Sequence, residues 1–184
     1  MATNPDAVNL LHAAGVLAVS RPAVLTCNTH PAPPVNLAAL YQNTVLFAQI
    51  CRMLAAIFLH DEIHSVVSYG PLAEGIASQL AQMTGRTVAV VRALYPLVPE
   101  QLLGARVLVV ADTVTTGVSL RRLVVLAKEA GATPVVAGTI ITQGPTTAEG
   151  VGVTHFSTLV DILVHRGVTK AQCCVCNPPQ KPPP

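Results

Sequence analysis

The chain has little charge and few aromatic side chains. Of its 184 residues only 11% are charged and 3% aromatic, against roughly 25% charged in an ordinary domain. The net charge is +2 with no basic tract, so nucleic acid is not an expected partner. The first lysine does not occur until Lys128. Apolar runs are interrupted well short of the about 18 residues that a membrane helix needs. The N-terminus lacks the charged and apolar regions of a signal peptide. A soluble, cytoplasmic protein without membrane contact is therefore expected. Five cysteines, an odd number in scattered segments, do not imply a disulfide framework.

What fills the chain instead is Val, Leu and Ala, within a hydrophobic content of 51%. That composition suits a buried parallel sheet covered by Ala-rich helices, and the length suits one domain with a substantial core. Asn4-Pro5-Asp6 predicts a capped helix through Ala14, ended by Gly15. Residues 16–36 hold Pro22, Pro31, Pro33 and Pro34, which forbid a helix and predict a connector with one or two short extended pieces. Helical spacing of apolar residues runs from Leu40 to Phe58. Strands are then expected at Ser65–Ser68, Thr87–Arg92, Val107–Val110 and Pro134–Ile141, and further ones at Phe156–Leu159 and Ile162–Val164. Helices are expected at Ala73–Met83, closed by Gly85, and at Leu120–Ala130, closed by Gly131. This alternation predicts an α/β fold: a mainly parallel twisted sheet with helices on both faces, whose ligands sit beyond the carboxyl ends of the strands.

Two loops fall at that edge. The first follows the apolar run Val107–Val110 and reads Ala111-Asp112-Thr113-Val114-Thr115-Thr116-Gly117-Val118-Ser119. A plain strand-to-helix turn needs one or two hydroxyl residues as caps. This one has four around a glycine. Gly117 lets the backbone approach an anion, hydroxyls and free N–H groups donate to it, and a helix N-terminus adds a favourable dipole. Asp112 cannot bind phosphate but can accept hydrogen bonds from sugar hydroxyls or stand near a metal ion. The residues predict a sugar-phosphate site.

The second loop is Tyr69-Gly70-Pro71-Leu72-Ala73-Glu74-Gly75, also between a Val-rich strand and a helix. It is not a P-loop, because Ile76-Ala77 stands where Lys-Ser/Thr is required, and G-x-G-x-x-G is absent.

With these motifs the chain resembles the type I phosphoribosyltransferases, most closely the orotate phosphoribosyltransferase branch, over nearly its whole length. In that superfamily a strand of four apolar residues, two acids and a Thr-Thr-Gly loop grip the 5-phosphate of phosphoribosyl diphosphate. Leu25-Thr26-Cys27-Asn28-Thr29-His30, Val35-Asn36 and Ala39-Leu40-Tyr41 follow the branch's N-terminal segment. Gly70-Pro71-Leu72-Ala73-Glu74-Gly75 resembles its pyrophosphate loop, and Val91-Arg92 its Val-Arg-Lys. Thr142-Gln143-Gly144, then Thr147-Ala148-Glu149-Gly150-Val151-Gly152-Val153, follow a further branch pattern, and Cys173-Cys174-Val175-Cys176 echoes a Cys-Pro-Leu-Cys of some members. The resemblance implies a single domain over 1–176, with residues 1–40 as a small hood-like segment and 177–184 as a Pro-rich tail. It implies transfer of a phosphoribosyl group to a pyrimidine or other base with release of pyrophosphate. It implies Asp112 on the ribose hydroxyls and Thr113 to Ser119, including Val114 and Val118, around the 5-phosphate. Gly70 to Gly75 and Arg92 would bind pyrophosphate, with Gln143 at the base. Magnesium bound with phosphoribosyl diphosphate, no dedicated protein metal site, and a homodimer follow from the same resemblance.

The departures are chemical. Ala111 replaces the first acid of the pair. The lysines and histidine of the branch's mobile hood are missing after Arg92, where Ala93-Leu94-Tyr95-Pro96 follow. Leu37 stands for an N-terminal lysine, and Gln143 for the arginine that grips orotate. One well-placed donor to a developing charge is worth about 3–4 kcal/mol of barrier, so these losses also allow an impaired paralogue that binds a ribose phosphate or a partner protein without turnover. A flavodoxin-like signalling domain with Asp112 as phosphoacceptor is a weaker reading, since the extra acidic pair and lysine are missing.

The remaining candidates admit bland readings. Cys173-x-x-Cys176, with Cys174 and His165, would supply tetrahedral zinc ligands, but lacks a second pair and reads first as a terminal segment packed on the body. Cys27 and Cys51 read as small buried residues, His30 as a loop residue, and His60 and His64 around Asp61-Glu62 as a solvated helix end.

Overall fold

A computed structural model describes residues 3–17, 23–26, 35–68, 70–83, 89–92, 102–166, 169–172 and 176. Their order is α1 (Pro5–Ala13), β1 (Ala23–Thr26), α2 (Leu37–Tyr41), α3 (Thr44–Ile57), a 3-10 turn (Leu59–Asp61), β2 (Ser65–Ser68), α4 (Pro71–Met83), β3 (Ala89–Arg92), β4 (Val107–Val114), α5 (Val118–Glu129), β5 (Val135–Thr142), α6 (Ala148–Val151), β6 (Phe156–Asp161) and β7 (Leu163–Arg166). Five strands form a parallel sheet in the order β3-β2-β4-β5-β6, and β1 pairs in parallel with β7 in a separate two-stranded sheet. The expected α/β architecture is present.

The central strands are buried on both faces, as an all-parallel sheet requires. On β4, Leu108 and Val110 join one cluster with Val66, Val136 and Ile140, covered by α1, α2, α3 and α4. Val107 and Val109 join the other with Val67, Val135 and Ala137, under Leu120, Leu123, Val124 and Ala127 of α5. Period-two alternation thus sends each strand's side chains to two cores.

Several boundaries differ from the sequence reading, each for a local reason. The helix expected over Leu40–Phe58 is two helices: the Asn43 side chain accepts from the Leu46 N–H and caps a new start at Thr44. Helix α4 begins at Pro71, two residues early, since proline suits a first helical position. Strand β4 runs four residues beyond Val110, because Ala111, Thr113 and Val114 keep pairing with Thr139, Ile141 and Thr142 of β5. Helix α5 starts at Val118 directly behind Gly117. The strand expected at Phe156–Leu159 extends to Asp161, and α6, capped by the Thr147 hydroxyl, is absent from the sequence reading. The cap at Asn4 and the left-handed glycines at Gly15 and Gly131 stand as read. Cys27, His30, Cys173, Cys174, the Gly85 stop, residues 87–88 and 93–101, and the tail lie outside the described residues. Cys51 is fully buried, and burial pushes its thiol up to about 12, so it is not a nucleophile. Among the described residues no helix is long and apolar enough to cross a membrane.

Gly138, at the centre of β5, packs closely against the first core. A Cβ there would lie 2.7 Å from Phe58 Cε2 and 3.5 Å from Leu54 Cδ1. The Phe58 ring, 4% exposed, occupies the space that glycine leaves. Overpacking of this kind costs about 1–3 kcal/mol. Gly138→Ala is expected to lower the unfolding free energy by that amount in urea titration, with an unchanged far-UV spectrum.

Candidate functional site

The site grows from the way β4 ends. Ala111, Asp112 and Thr113 are half-buried strand residues, Val114 is buried, and only Thr115, Thr116 and Gly117 make the turn into α5. Asp112 is therefore inside the strand rather than beyond its end. Its carbonyl accepts from the Thr139 hydroxyl at 3.1 Å, and its Oδ1 accepts from the Thr113 N–H at 2.6 Å. The carboxylate is thus fixed beside the turn.

Gly117 has φ +74°, and a Cβ there would meet Thr146 Cγ2 at 3.4 Å. A side chain at this position would be strained by conformation and by crowding together. Gly117 is also the N-cap of α5 and offers no side-chain cap. The first N–H groups of a helix have no intrahelical partner, so those at the start of α5 are left to face the turn. Behind the turn, the Gln143 N–H donates to the Val114 carbonyl at 2.8 Å, and a Cβ on Gly144 would lie 2.6 Å from the Thr115 carbonyl oxygen. The segment after β5 therefore braces the cradle from outside.

The result is a concavity of about 220 Å³ lined by Val110 to Leu120 and by Leu123. A water's share of liquid is about 30 Å³, so a phosphate group and attached sugar atoms have room. Thr115, Thr116 and Ser119 are exposed at its mouth. Among the described residues, Asp112 is the one carboxylate of the lining, and no lysine or arginine lines it. The arrangement can hold an anion by backbone N–H groups, hydroxyls and a helix dipole.

The second loop leaves the neighbouring strand. β2 lies beside β4, with Ser68 opposite Val110, so Gly70 and the start of α4 are next to the cradle along the same edge. Gly70 has φ +91° and its carbonyl accepts from the Glu74 N–H at 3.0 Å. Pro71, Leu72, Ala73, Glu74 and Gly75 are the first turn of α4 rather than a loop. None of them lines the 220 Å³ concavity. Arg92 ends β3, opposite Ser68 on the far side of β2. Gln143, half-buried, directly follows β5.

Tyr41 was legible only as part of a motif, yet it ties these parts together. Its hydroxyl donates to the Leu72 carbonyl, and its ring packs on Phe47 with centroids 4.5 Å apart. Gly75 gives it room, since a Cβ there would lie 2.8 Å from Tyr41 Cε1. Burial first, then the negative charge of Asp112, holds the phenol well above its ordinary range, and Cys51 adds to the rise only once its own thiol ionises. Tyr41 is therefore a neutral donor at every working pH, close enough to Asp112 to feel its charge. No side-chain pattern on a five-residue helix would have marked it.

Among the described residues no group of three or more His, Cys, Asp or Glu side chains could hold a metal ion. Of the zinc ligands weighed from sequence, Cys176 is half-buried, while Cys173 and Cys174 lie outside the described residues.

No family model matches the chain, and no curated protein sequence matches it. Solved structures do. The orotate phosphoribosyltransferase of Mycobacterium tuberculosis, in complex with 5-phospho-alpha-D-ribosyl 1-diphosphate, is 22% identical with a TM-score of 0.64, covering 86% of this chain and 95% of that one. Orotate phosphoribosyltransferase from Aeropyrum pernix is 15% identical with a TM-score of 0.60, covering 85% and 92%. The adenine phosphoribosyltransferase of Giardia lamblia, complexed with 9-deazaadenine, is 16% identical with a TM-score of 0.59, covering 71% and 87%. At these identities the likeness is one of architecture: the chain has the type I phosphoribosyltransferase fold.

Proposed function

We propose that the protein binds phosphoribosyl diphosphate and transfers its phosphoribosyl group to a base, in the manner of an orotate phosphoribosyltransferase. The observation that carries this reading is the uncapped N-terminus of α5, opening behind Gly117 onto a concavity ringed by hydroxyls, with Asp112 on its wall. The N–H groups of α5, with Thr115, Thr116 and Ser119, hold the 5-phosphate. Asp112 accepts from the ribose hydroxyls and so orients the ring. The first turn of α4 presents backbone N–H groups to the diphosphate from the adjacent strand, with Arg92 one strand further on. Gln143 offers an amide to the base. A homodimer in the cytoplasm fits the same reading.

Magnesium suits the donor set only as an ion carried in by the ligand. It prefers one or two carboxylates plus substrate phosphate oxygens, and the cradle offers the single carboxylate of Asp112. When bound it would neutralise charge on the diphosphate. Asp112 is the residue that would hold its shell.

One observation favours a second reading, binding without turnover. Among the described residues the cradle has no cationic lining residue, Ala111 stands where the resembled branch has an acid, and Lys128 lies at the far end of α5, donating to the Gly152 carbonyl. Little charge is then available among the described residues to stabilise a departing diphosphate.

Isothermal titration with phosphoribosyl diphosphate and magnesium is expected to show saturable binding, weakened at least about ten-fold, or about 1.4 kcal/mol, by Gly117→Val. No binding at millimolar ligand would overturn both readings. Nucleotide formation across a panel of bases then separates them. Transfer that falls about 100-fold in Asp112→Asn supports the enzyme, on the scale of one oriented charged contact; binding without product in the wild type supports the second reading. Removing the Tyr41 hydroxyl frees the Leu72 carbonyl and loosens the first turn of α4. Tyr41→Phe is expected to weaken phosphoribosyl diphosphate about 2- to 10-fold, the range of one neutral hydrogen bond, while inorganic phosphate, which needs only the cradle, binds as in the wild type.

A further inference from the structure

The amino-terminal end of the sheet, opposite the cradle, carries a second ordered set of polar side chains. His155, just before β6, places Nδ1 3.1 Å from Asp61 Oδ2 and Nε2 3.0 Å from Ser157 Oγ. A carboxylate only accepts, so Nδ1 must carry the ring proton when the imidazole is neutral. Nε2 is then a lone-pair acceptor, and the Ser157 hydroxyl donates to it. Acid on Nδ1, hydroxyl on Nε2 is the order in which a serine is activated as a nucleophile, a constellation recognised by roles rather than by chain position.

Each member is held in place. The Asp61 N–H donates to the Phe58 carbonyl at 3.1 Å, and the Asp61 carbonyl accepts from Arg106 Nε at 2.8 Å. The next residue, Glu62, adopts φ 47° and ψ 48°, a left-handed conformation that is unfavourable for a residue other than glycine. The chain therefore accepts strain in the turn that presents Asp61. The Phe58 ring faces the imidazole with centroids 5.0 Å apart. Ser157 is fixed on β6 opposite Gly138. The Asp61 side chain is 23% exposed and that of His155 37%, so the acid is the more sheltered member and the imidazole can be reached from solvent. Fastening the turn to β6 needs only the His155–Asp61 contact; the second contact points a hydroxyl proton at the basic nitrogen.

We propose that Ser157, His155 and Asp61 form a nucleophilic centre that accepts acyl groups from small carboxylic esters. Ser157 Oγ bonds to the ester carbonyl carbon as its proton passes to His155 Nε2. The carbon–alkoxy bond then breaks, the alcohol leaves with the proton from Nε2, and an acyl-serine remains. Water repeats the sequence: it loses a proton to Nε2, attacks the acyl carbon, and releases the carboxylic acid while Oγ recovers its proton. Asp61 stabilises the imidazolium formed in each half. The half-exposed setting suits small esters arriving from solvent.

The test uses the full chain with p-nitrophenyl acetate and, separately, a fluorophosphonate probe whose site is mapped by mass spectrometry. The expected result is nitrophenol release above buffer and a single tag on Ser157. His155→Gln is expected to slow tagging by about 100-fold or more, the usual worth of a general base, and Asp61→Asn by about ten-fold or more, with unchanged circular dichroism. Should His155→Gln fail to fold, Asp61→Asn, which keeps the shape of the acid, decides alone. An untagged Ser157 in the folded wild type, or tagging at the wild-type rate in a folded variant of either residue, would overturn the proposal. Because the cluster lies at the opposite end of the sheet from Gly117, the outcome is independent of phosphate binding.

Discussion

The chain leaves its sheet after Val114, and everything at the cradle depends on where that exit falls. It is set by the parallel pairing of β4 with β5, which persists to Val114 opposite Thr142. Only three residues remain for the turn, and the third must take a left-handed conformation for α5 to start at once. Gly117 supplies that conformation, and Gly144, with no Cβ under the Thr115 carbonyl, lets the segment after β5 close against the turn. A helix that starts this abruptly has no capping side chain. Its first N–H groups are left without intrahelical partners beside the concavity, a standing demand for acceptor oxygens.

That demand is met with little formal charge. The cradle relies on backbone donors, hydroxyls and the helix dipole, with one carboxylate on the wall. Neutral donors and a dipole suffice to hold a phosphate, since the ligand brings the charge and the protein supplies oriented partners. Stabilising charge that develops on a leaving group is a heavier task, for which positioned cations are the usual means. On the proposed reading, holding the donor and expelling its diphosphate are therefore separable tasks. Tyr41 belongs to the first: kept neutral by burial and by the nearby Asp112, it fastens the start of α4 beside the cradle.

Much of this was legible in the sequence, and what was not has local causes. The Val-rich runs announced strands buried on both faces, and Asn4, Gly15 and Gly131 marked helix ends, because caps and left-handed glycines act within one turn. The extent of β4 was not legible. Asp112, Thr113 and Val114 look like a loop in isolation and become a strand only because Thr139, Ile141 and Thr142 lie alongside, a partner no local pattern reveals. The break between α2 and α3 was hidden because Asn43 sits within apolar residues at helical spacing. Tyr41 and the Asp61–His155–Ser157 set were hidden for another reason: their members come from segments far apart in sequence, and the sheet alone brings them together.

The N–H groups behind Gly117 are proposed to bind a phosphate group. Crystals grown or soaked with ribose 5-phosphate and magnesium test it most directly. Density for the phosphate is expected against the backbone of Val118 and Ser119, with the ribose hydroxyls toward Asp112. A ligand bound elsewhere, with the turn at 115–117 left to solvent at millimolar ribose 5-phosphate, would contradict it.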